Sequence, residues 1–193
     1  MPTQSRGELQ ERILMMLPKI ADEVKSLATD RDIYWKVQRE VIQRNPRFLE
    51  MRSPFFEMLN DAYAHGTAMR VRRLVDPTKG TISLTRLLEA MGRKNPELLG
   101  SRVPAAELAK DINELKATTL KVKGYVDQYV AHQDQSPTAP RPSYQELDTA
   151  IELLVRLTTK YYKVLAESDV DVAVSYLGDP LAIFRFAWIE ASC

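Results

Sequence analysis

The sequence predicts an all-α fold, an antiparallel helical bundle of four to five long helices with short accessory helices. Apolar residues recur every three or four positions over long stretches, which is the period of an amphipathic helix. Only 7 of the 193 residues are glycine, and the β-branched residues do not fall in alternating runs, so strands are disfavoured. Because the connections are short and no repeat or linker divides the chain, we predict one up-down domain over 1–193.

Two helices are predicted in the first 44 residues. Apolar spacing predicts the first over 6–27, and Pro18 inside it predicts a kink or a break, since proline lacks the amide hydrogen that continues a helix. The second is predicted over 31–44, with Asp30 as its N-cap. It should end at 45–46, where asparagine precedes proline.

A long helix is predicted over 54–75, because Ser53 is a natural N-cap and the proline after it suits the first helical turn. A turn at 76–80 follows, and then a short helix over 82–91 that Gly92 should end. Small residues along the long helix would let another helix approach closely. Its predicted apolar stripe comprises Phe55, Leu59, Ala62, Gly66 and Met69.

Two further long helices carry uninterrupted heptad seams, which are typical of a helical bundle and are also available for dimerisation. The first begins near Pro104 and ends near His132, and the second opens with a capping box of Ser143 and Glu146. A last apolar helix is predicted from Asp179. The seams comprise Leu108, Ile112, Leu115, Thr119, Val122, Val126 and Tyr129, and then Leu147, Ile151, Leu154, Thr158, Tyr161 and Leu165.

Composition and missing motifs exclude several classes of function. The net charge is +1, so any contact with nucleic acid has to come from a local patch. One cysteine, two histidines and no glycine-rich phosphate loop argue against zinc, disulfides and nucleotide cofactors, so we expect neither metal nor cofactor. The N-terminus does not resemble a signal peptide, and no stretch is long enough to span a membrane, so we expect a cytoplasmic protein.

Two histidines and a run of arginines are the candidate functional groups. His65 shares a helix face with Asp61 and Arg72; a half-buried histidine paired with that aspartate is favoured over a catalytic one. His132 near a helix end is explained by the helix dipole alone. The arginines at 70, 72 and 73 are either a solvated face, in which Arg73 could pair with the aspartate at 76, or a patch that contacts phosphate.

Two segments resemble the HEPN domains of the AbiU-type abortive-infection group. They are AMRVRRLVDPTKGTISLTRLLEAM at 68–91 and YVAHQD at 129–134, and the resemblance covers about residues 50–165. It implies a bundle of four or five helices that often dimerises. Active members are metal-independent ribonucleases whose Arg-x(4–6)-His motif meets its dimer mate.

The resemblance carries over residue by residue. His132 matches the family histidine and Asp127 the polar residue after the arginine, which makes both candidate catalytic residues, but valine stands at 126 where the arginine would fall. Histidine would move a proton and arginine would stabilise charge on the phosphate. The resemblance and the arginines make Arg72, Arg73 and Lys123 candidate phosphate- or RNA-binding residues.

Three hypotheses follow. The favoured one, because of Val126 and the near-zero net charge, is a degenerate HEPN domain that binds RNA, a nucleotide or a protein partner in phage defence or a toxin–antitoxin-type system. The second is a metal-independent endoribonuclease that uses His132 with an arginine or lysine displaced from elsewhere. The third is a purely structural or assembly module. The resemblance predicts a homodimer in each case.

Overall fold

The computed structural model describes residues 6–45, 47, 50, 53–94, 103–130 and 138–185, which contain five α-helices and no strand. The predicted all-α fold is therefore confirmed. Two π-helical segments, Val37–Ile42 and Val126–Val130, follow the first and fourth helices. The helices are α1 (Arg6–Lys36), α2 (Pro54–Leu74), α3 (Leu84–Lys94), α4 (Ala105–Tyr125) and α5 (Tyr144–Ala166).

Helix α1 is continuous where two separate helices were predicted. Pro18 lies inside it on the exposed side, so the predicted break is wrong there. The predicted cap at Asp30 is also wrong, because its side chain pairs with Arg70 of α2 instead. Leu27 and Tyr34 on either side of it are buried, so one apolar face continues through the predicted boundary and keeps the helix on the core.

Helix α5 runs antiparallel to both α1 and α4, as the order of its side-chain contacts requires. Along α1, Arg31 lies 3.1 Å from Glu152, and one turn later the indole of Trp35 donates to Asp148 at 2.9 Å. The bundle topology predicted from the sequence is therefore confirmed. The corresponding pairs between α4 and α5 are Glu107 with Lys160, Glu114 with Arg156, and Lys121 with Glu146.

Both heptad seams form the core of the chain itself. All members of the α5 seam up to Tyr161 are buried, and in α4 the seam is buried except for half-buried Ile112 and exposed Tyr129. Most of their apolar area is therefore buried within the chain, and dimerisation stays a prediction. Tyr129 departs from the seam because it lies in the π segment, where a wider turn moves side chains off the heptad positions.

Helix α2 packs through a different face from the predicted one. Its buried residues are Ala64, Thr67, Ala68, Val71 and Leu74, whereas the predicted stripe is half-buried at Leu59 and exposed elsewhere. The helix has apolar or small residues on both sides, so periodicity alone could not choose between them. Leu59, Ala62 and Gly66 instead line a groove of about 310 Å³ beside α1.

The connection from α2 to α3 is the turn predicted at 76–80. Asp76 accepts a hydrogen bond from the Thr78 amide at 2.9 Å, and Gly80 takes a positive φ of 96°, which glycine adopts without strain. Helix α3 passes through Gly92 instead of ending there. The helix predicted from Asp179 is, in the residues described, a short 3-10 turn over Ala182–Arg185.

Candidate functional site

Helix α2 crosses the end of α4 at the start of the π segment. His65 of α2 meets Tyr125, and Arg72, two turns later on α2, meets Asp127. Seven residues rise about 10 Å along a helix and two rise only about 3 Å, so α2 runs across this helix end rather than along it. The crossing leaves one group of side chains on each side of Val126.

Val126 itself lies under the crossing. It is 1% exposed and belongs to the same core cluster as Ala68 and Val71 of α2. The position therefore faces the interior of the bundle, and no polar head at this position could reach solvent without unpacking α2.

On one side of Val126 lies the ionic cluster, which comprises Arg72, Asp76, Lys123 and Asp127. The Nε of Arg72 donates to Asp127 Oδ1 at 2.8 Å, and the Nζ of Lys123 donates to Asp127 Oδ2 at 2.6 Å. The Nη1 of Arg72 also lies 3.4 Å from Asp76 Oδ2. Two cations thus share two carboxylates, and the cluster has no net charge.

The pKa values within the ionic cluster reflect this mutual pairing. Burial by itself would raise the pKa of Asp127, but hydrogen bonds from Lys123 and Arg72 outweigh it and hold that pKa below its usual value. Burial likewise opposes the charge of Arg72, yet Asp127 and Asp76 raise its pKa. Each group therefore stabilises the charged form of its partner.

On the other side of Val126 lies the aromatic cluster, which comprises Asp61, His65, Tyr125, Tyr129 and Arg141. The Nε2 of His65 and the hydroxyl of Tyr125 are hydrogen-bonded at 2.8 Å, and their rings lie 6.1 Å apart at 12°. The rings of Tyr125 and Tyr129 lie 5.3 Å apart at 27°. Three rings therefore form a row that leads from α2 to the surface.

A surface ion pair borders the aromatic cluster. The Nη2 of Arg141 donates to Asp61 Oδ1 at 2.6 Å, and this hydrogen bond is the main reason why the pKa of Asp61 is lowered. Arg141 also acts on Tyr125, whose pKa is nevertheless raised, chiefly by burial. His65 is half-buried, as predicted, but its hydrogen bond is with Tyr125 and that of Asp61 is with Arg141; between His65 and Asp61 the structure shows only a smaller electrostatic contribution.

The segment that carries Arg141 is held at one end by the π segment and at the other by the start of α5. Gln128 Oε1 accepts hydrogen bonds from the amides of Thr138 and Ala139, each at 2.8 Å. The predicted capping box at the start of α5 is confirmed, with Ser143 Oγ accepting from the Glu146 amide at 3.2 Å. The position of Arg141 beside the aromatic row is therefore built into the fold.

The structure separates the other predicted site residues. Arg73 turns towards α1, where its Nη2 lies 2.6 Å from Glu23, so its predicted pairing with Asp76 is wrong and Arg72 has that partner instead. His132 lies outside the described residues. Among the residues described, no three or more His, Cys, Asp or Glu side chains are grouped as a metal site, and no helix has the length and hydropathy to span a membrane.

Comparison with known protein families shows which family the chain belongs to. The family model described as AbiU2, of the HEPN abortive-infection type, matches residues 16–179. The chain belongs to the AbiU2 family of HEPN proteins. No curated protein and no solved structure gave a match.

Membership of the AbiU2 family confirms the resemblance seen at 68–91 and 129–134 and extends it over α1 to α5. Val126, where the resemblance would place the HEPN arginine, is buried, and Arg72 reaches Asp127, the next residue along the chain.

Sequence reasoning missed three residues of this region. Tyr125 and Arg141 have no role in the sequence analysis, and Tyr129 is assigned there to the core seam. A usable signal was present, because Tyr125 and Tyr129 are four residues apart and so share one side of a helix. Nothing in the sequence pairs either of them with Arg141, which is brought there by the fold of residues 138–143.

Proposed function

We propose that this protein is a degenerate HEPN domain of an abortive-infection system that binds single-stranded RNA without cleaving it. The observation that carries the proposal is the burial of Val126 at 1% exposure beneath α2. Cleavage by the family mechanism needs an arginine at that point, and loss of one such electrostatic group costs about a hundredfold or more in rate.

RNA is favoured over a protein partner by what surrounds Val126. Exposed aromatic rings beside arginine and lysine are typical of surfaces that bind single-stranded nucleic acid. Tyr129 is 43% exposed, and the side chain of Arg141, which belongs to the same cluster, is 48% exposed. The polar, mixed character of this patch differs from the apolar core of a stable protein interface.

A second candidate function is a metal-independent endoribonuclease, and one contact favours it. The guanidinium of Arg72 lies 2.8 Å from Asp127, five residues before His132. In that case Arg72 would stabilise charge on the phosphate, and His132 would transfer the proton of the ribose hydroxyl. Arg72 would first have to leave its ion pairs with Asp76 and Asp127.

The test measures binding and cleavage on the same RNA. A fluorescein-labelled single-stranded RNA is titrated with protein at several salt concentrations, and the same RNA is incubated with excess protein in EDTA. We expect binding that weakens steeply with salt, because phosphate contacts release counterions. We expect the RNA to remain intact.

Arg72 and Arg73 offer a matched pair of variants. Arg72→Ala removes the arginine next to Asp127, and Arg73→Ala removes its neighbour in sequence, which pairs with α1 instead. RNA cleavage by the wild type that Arg72→Ala and His132→Ala both abolish, while Arg73→Ala retains it, would establish the nuclease. If the protein binds no RNA at all, the proposed function is wrong and the hypothesis of a structural or assembly module remains.

A further inference from the structure

The row of rings in the aromatic cluster ends at the protein surface. Tyr125, in the middle, is 5% exposed, whereas Tyr129 at the outer end is 43% exposed. One side of the Tyr129 ring faces Tyr125 at a centroid distance of 5.3 Å. Tyr129 is therefore the solvent-exposed tyrosine of the row.

We propose that Tyr129 is a stacking subsite for an unpaired RNA base and that Arg141 contacts the adjacent phosphate. The inference rests on the proposed function and deepens it, since it names the surface and the form of RNA that is recognised. Stacking between a base and an aromatic ring is tolerant of sequence, because every base has a π-face.

The subsite is supported from beneath, which favours binding. Tyr125 is held by its hydrogen bond to His65 at 2.8 Å and by burial, so the ring under Tyr129 has a fixed position. A ring that is already ordered loses little conformational freedom when a ligand stacks on it. The row of rings therefore acts as a rigid base for the outermost one.

Arg141 is available to a phosphate at small cost. Its partner Asp61 is 55% exposed, and ion pairs between exposed groups contribute little to stability. A guanidinium can bind a phosphate through two parallel hydrogen bonds, a geometry at least as favourable as the single hydrogen bond between Arg141 and Asp61. Arg141 could therefore exchange Asp61 for a phosphate, and water would then solvate the carboxylate of Asp61.

The geometry selects single strands over duplexes. In a duplex each base is stacked between its neighbours, so its faces are hidden, whereas an unpaired base presents a free face. A single exposed ring at the end of a helix fits one such base. Duplex RNA of the same length should therefore compete poorly.

The experiment uses a fluorescein-labelled single-stranded oligoadenylate RNA and measures its dissociation constant by fluorescence anisotropy. We expect Tyr129→Ala to weaken binding by roughly tenfold and Tyr129→Phe to retain it, because the ring and not the hydroxyl makes the contact. Leu120→Ala is the matched control, since it removes another exposed apolar side chain, 69% exposed, from α4, the helix that leads into the π segment. This control should bind as the wild type does.

A second probe reports on stacking directly. With 2-aminopurine in place of one adenine, emission should fall on binding to the wild type and Tyr129→Phe, and much less on binding to Tyr129→Ala. Binding that is equal for wild type and Tyr129→Ala, loss that is equal for Phe and Ala, or duplex RNA that competes equally would each overturn the subsite while leaving RNA binding intact.

Two further outcomes distinguish failure of the stacking subsite from failure of the proposed RNA binding. If the wild type binds no RNA at all, the proposed function fails and the subsite fails with it. If Tyr129→Ala converts a dimer to a monomer in analytical ultracentrifugation and leaves RNA affinity unchanged, the exposed ring is a contact between two copies of the chain and the stacking proposal is wrong.

Discussion

The ionic and aromatic clusters lie on opposite sides of one buried residue, Val126, but they use their charged groups differently. In the ionic cluster Arg72 is 21% exposed and is held by two carboxylates, Asp76 and Asp127. In the aromatic cluster Arg141 is 48% exposed and is held by one exposed carboxylate. The first cation is committed to the fold, and the second can exchange its partner.

This difference matters because the sequence alone does not show which basic residues are paired with carboxylates of the same chain. The run of arginines at 70, 72 and 73 is the stronger sequence signal, yet all three pair with carboxylates of the same chain. Arg141 stands alone in the sequence and in the fold lies near Tyr125, the middle ring of the aromatic row. Its side chain is 48% exposed, more than those of Arg70 and Arg72 at 22% and 21%, although less than that of Arg73 at 64%.

The largest expected effect comes from placing an arginine at position 126, between the two clusters. Val126→Arg should not create a nuclease, because it would place an unpaired charge in the core and lower the free energy of unfolding by about 3 kcal/mol or more. Denaturant titration measures the loss of stability, and incubation with RNA measures cleavage.

The control for this change is the same substitution at an exposed valine. Val174 is 38% exposed, so Val174→Arg should leave the free energy of unfolding nearly unchanged. A Val126→Arg protein as stable as this control and able to cut RNA would contradict the placement of Val126 in the core.

A smaller effect is expected from releasing the committed cations. Asp127→Asn removes the carboxylate charge that holds Arg72 and Lys123. It should lower stability by about 1 kcal/mol and raise affinity for single-stranded RNA. The salt dependence should also steepen, by roughly 0.7 in log–log slope for each new phosphate contact.

Asp61→Asn is the matching change in the aromatic cluster. Because the pair between Arg141 and Asp61 is already exposed, we expect its removal to change RNA affinity less than Asp127→Asn does. Equal gains from the two variants would show that the two arginines are equally available and would remove the contrast between the clusters.

The smallest effect is expected from the capping box that holds the Arg141 segment. The ammonium of Lys121 and the amide of Ser143 lower the pKa of Glu146 to about 2 from an ordinary value of 4.5. Since the folded-state pKa is the lower one, the stabilisation is complete above pH 4.5 and is lost as pH falls towards 2.

Glu146→Gln should therefore lower the free energy of unfolding by roughly 0.5 kcal/mol at pH 7, because Gln keeps part of the capping box and the ion pair is exposed. The difference from the wild type should shrink as pH falls from 4.5 to 2. Unfolding curves at several pH values measure this, and a difference that stays constant over that range would rule out the ionised carboxylate as its cause.

Much of the fold followed from local patterns. The heptad seams of α4 and α5 have one strongly apolar face each, so most of their buried positions were predicted; Ile112 and Leu165 are half-buried, and Tyr129, in the π segment, is exposed. The capping box at Ser143 involves residues three positions apart and was also predicted. The predicted buried face of α2 was wrong because small and apolar residues line both sides of this helix. Only packing against neighbouring helices determines which side is buried.

The sequence by itself determined the all-α bundle, the AbiU2 resemblance and the absence of arginine at 126, because these depend on residues close together in the chain. Only the tertiary structure decided which charges are neutralised and which ring is exposed. Asp127 and Arg72 are 55 residues apart, and Asp61 and Arg141 are 80 apart. The strength of an ion pair depends on distance and solvent exposure, and the packing of α2 across α4 sets both.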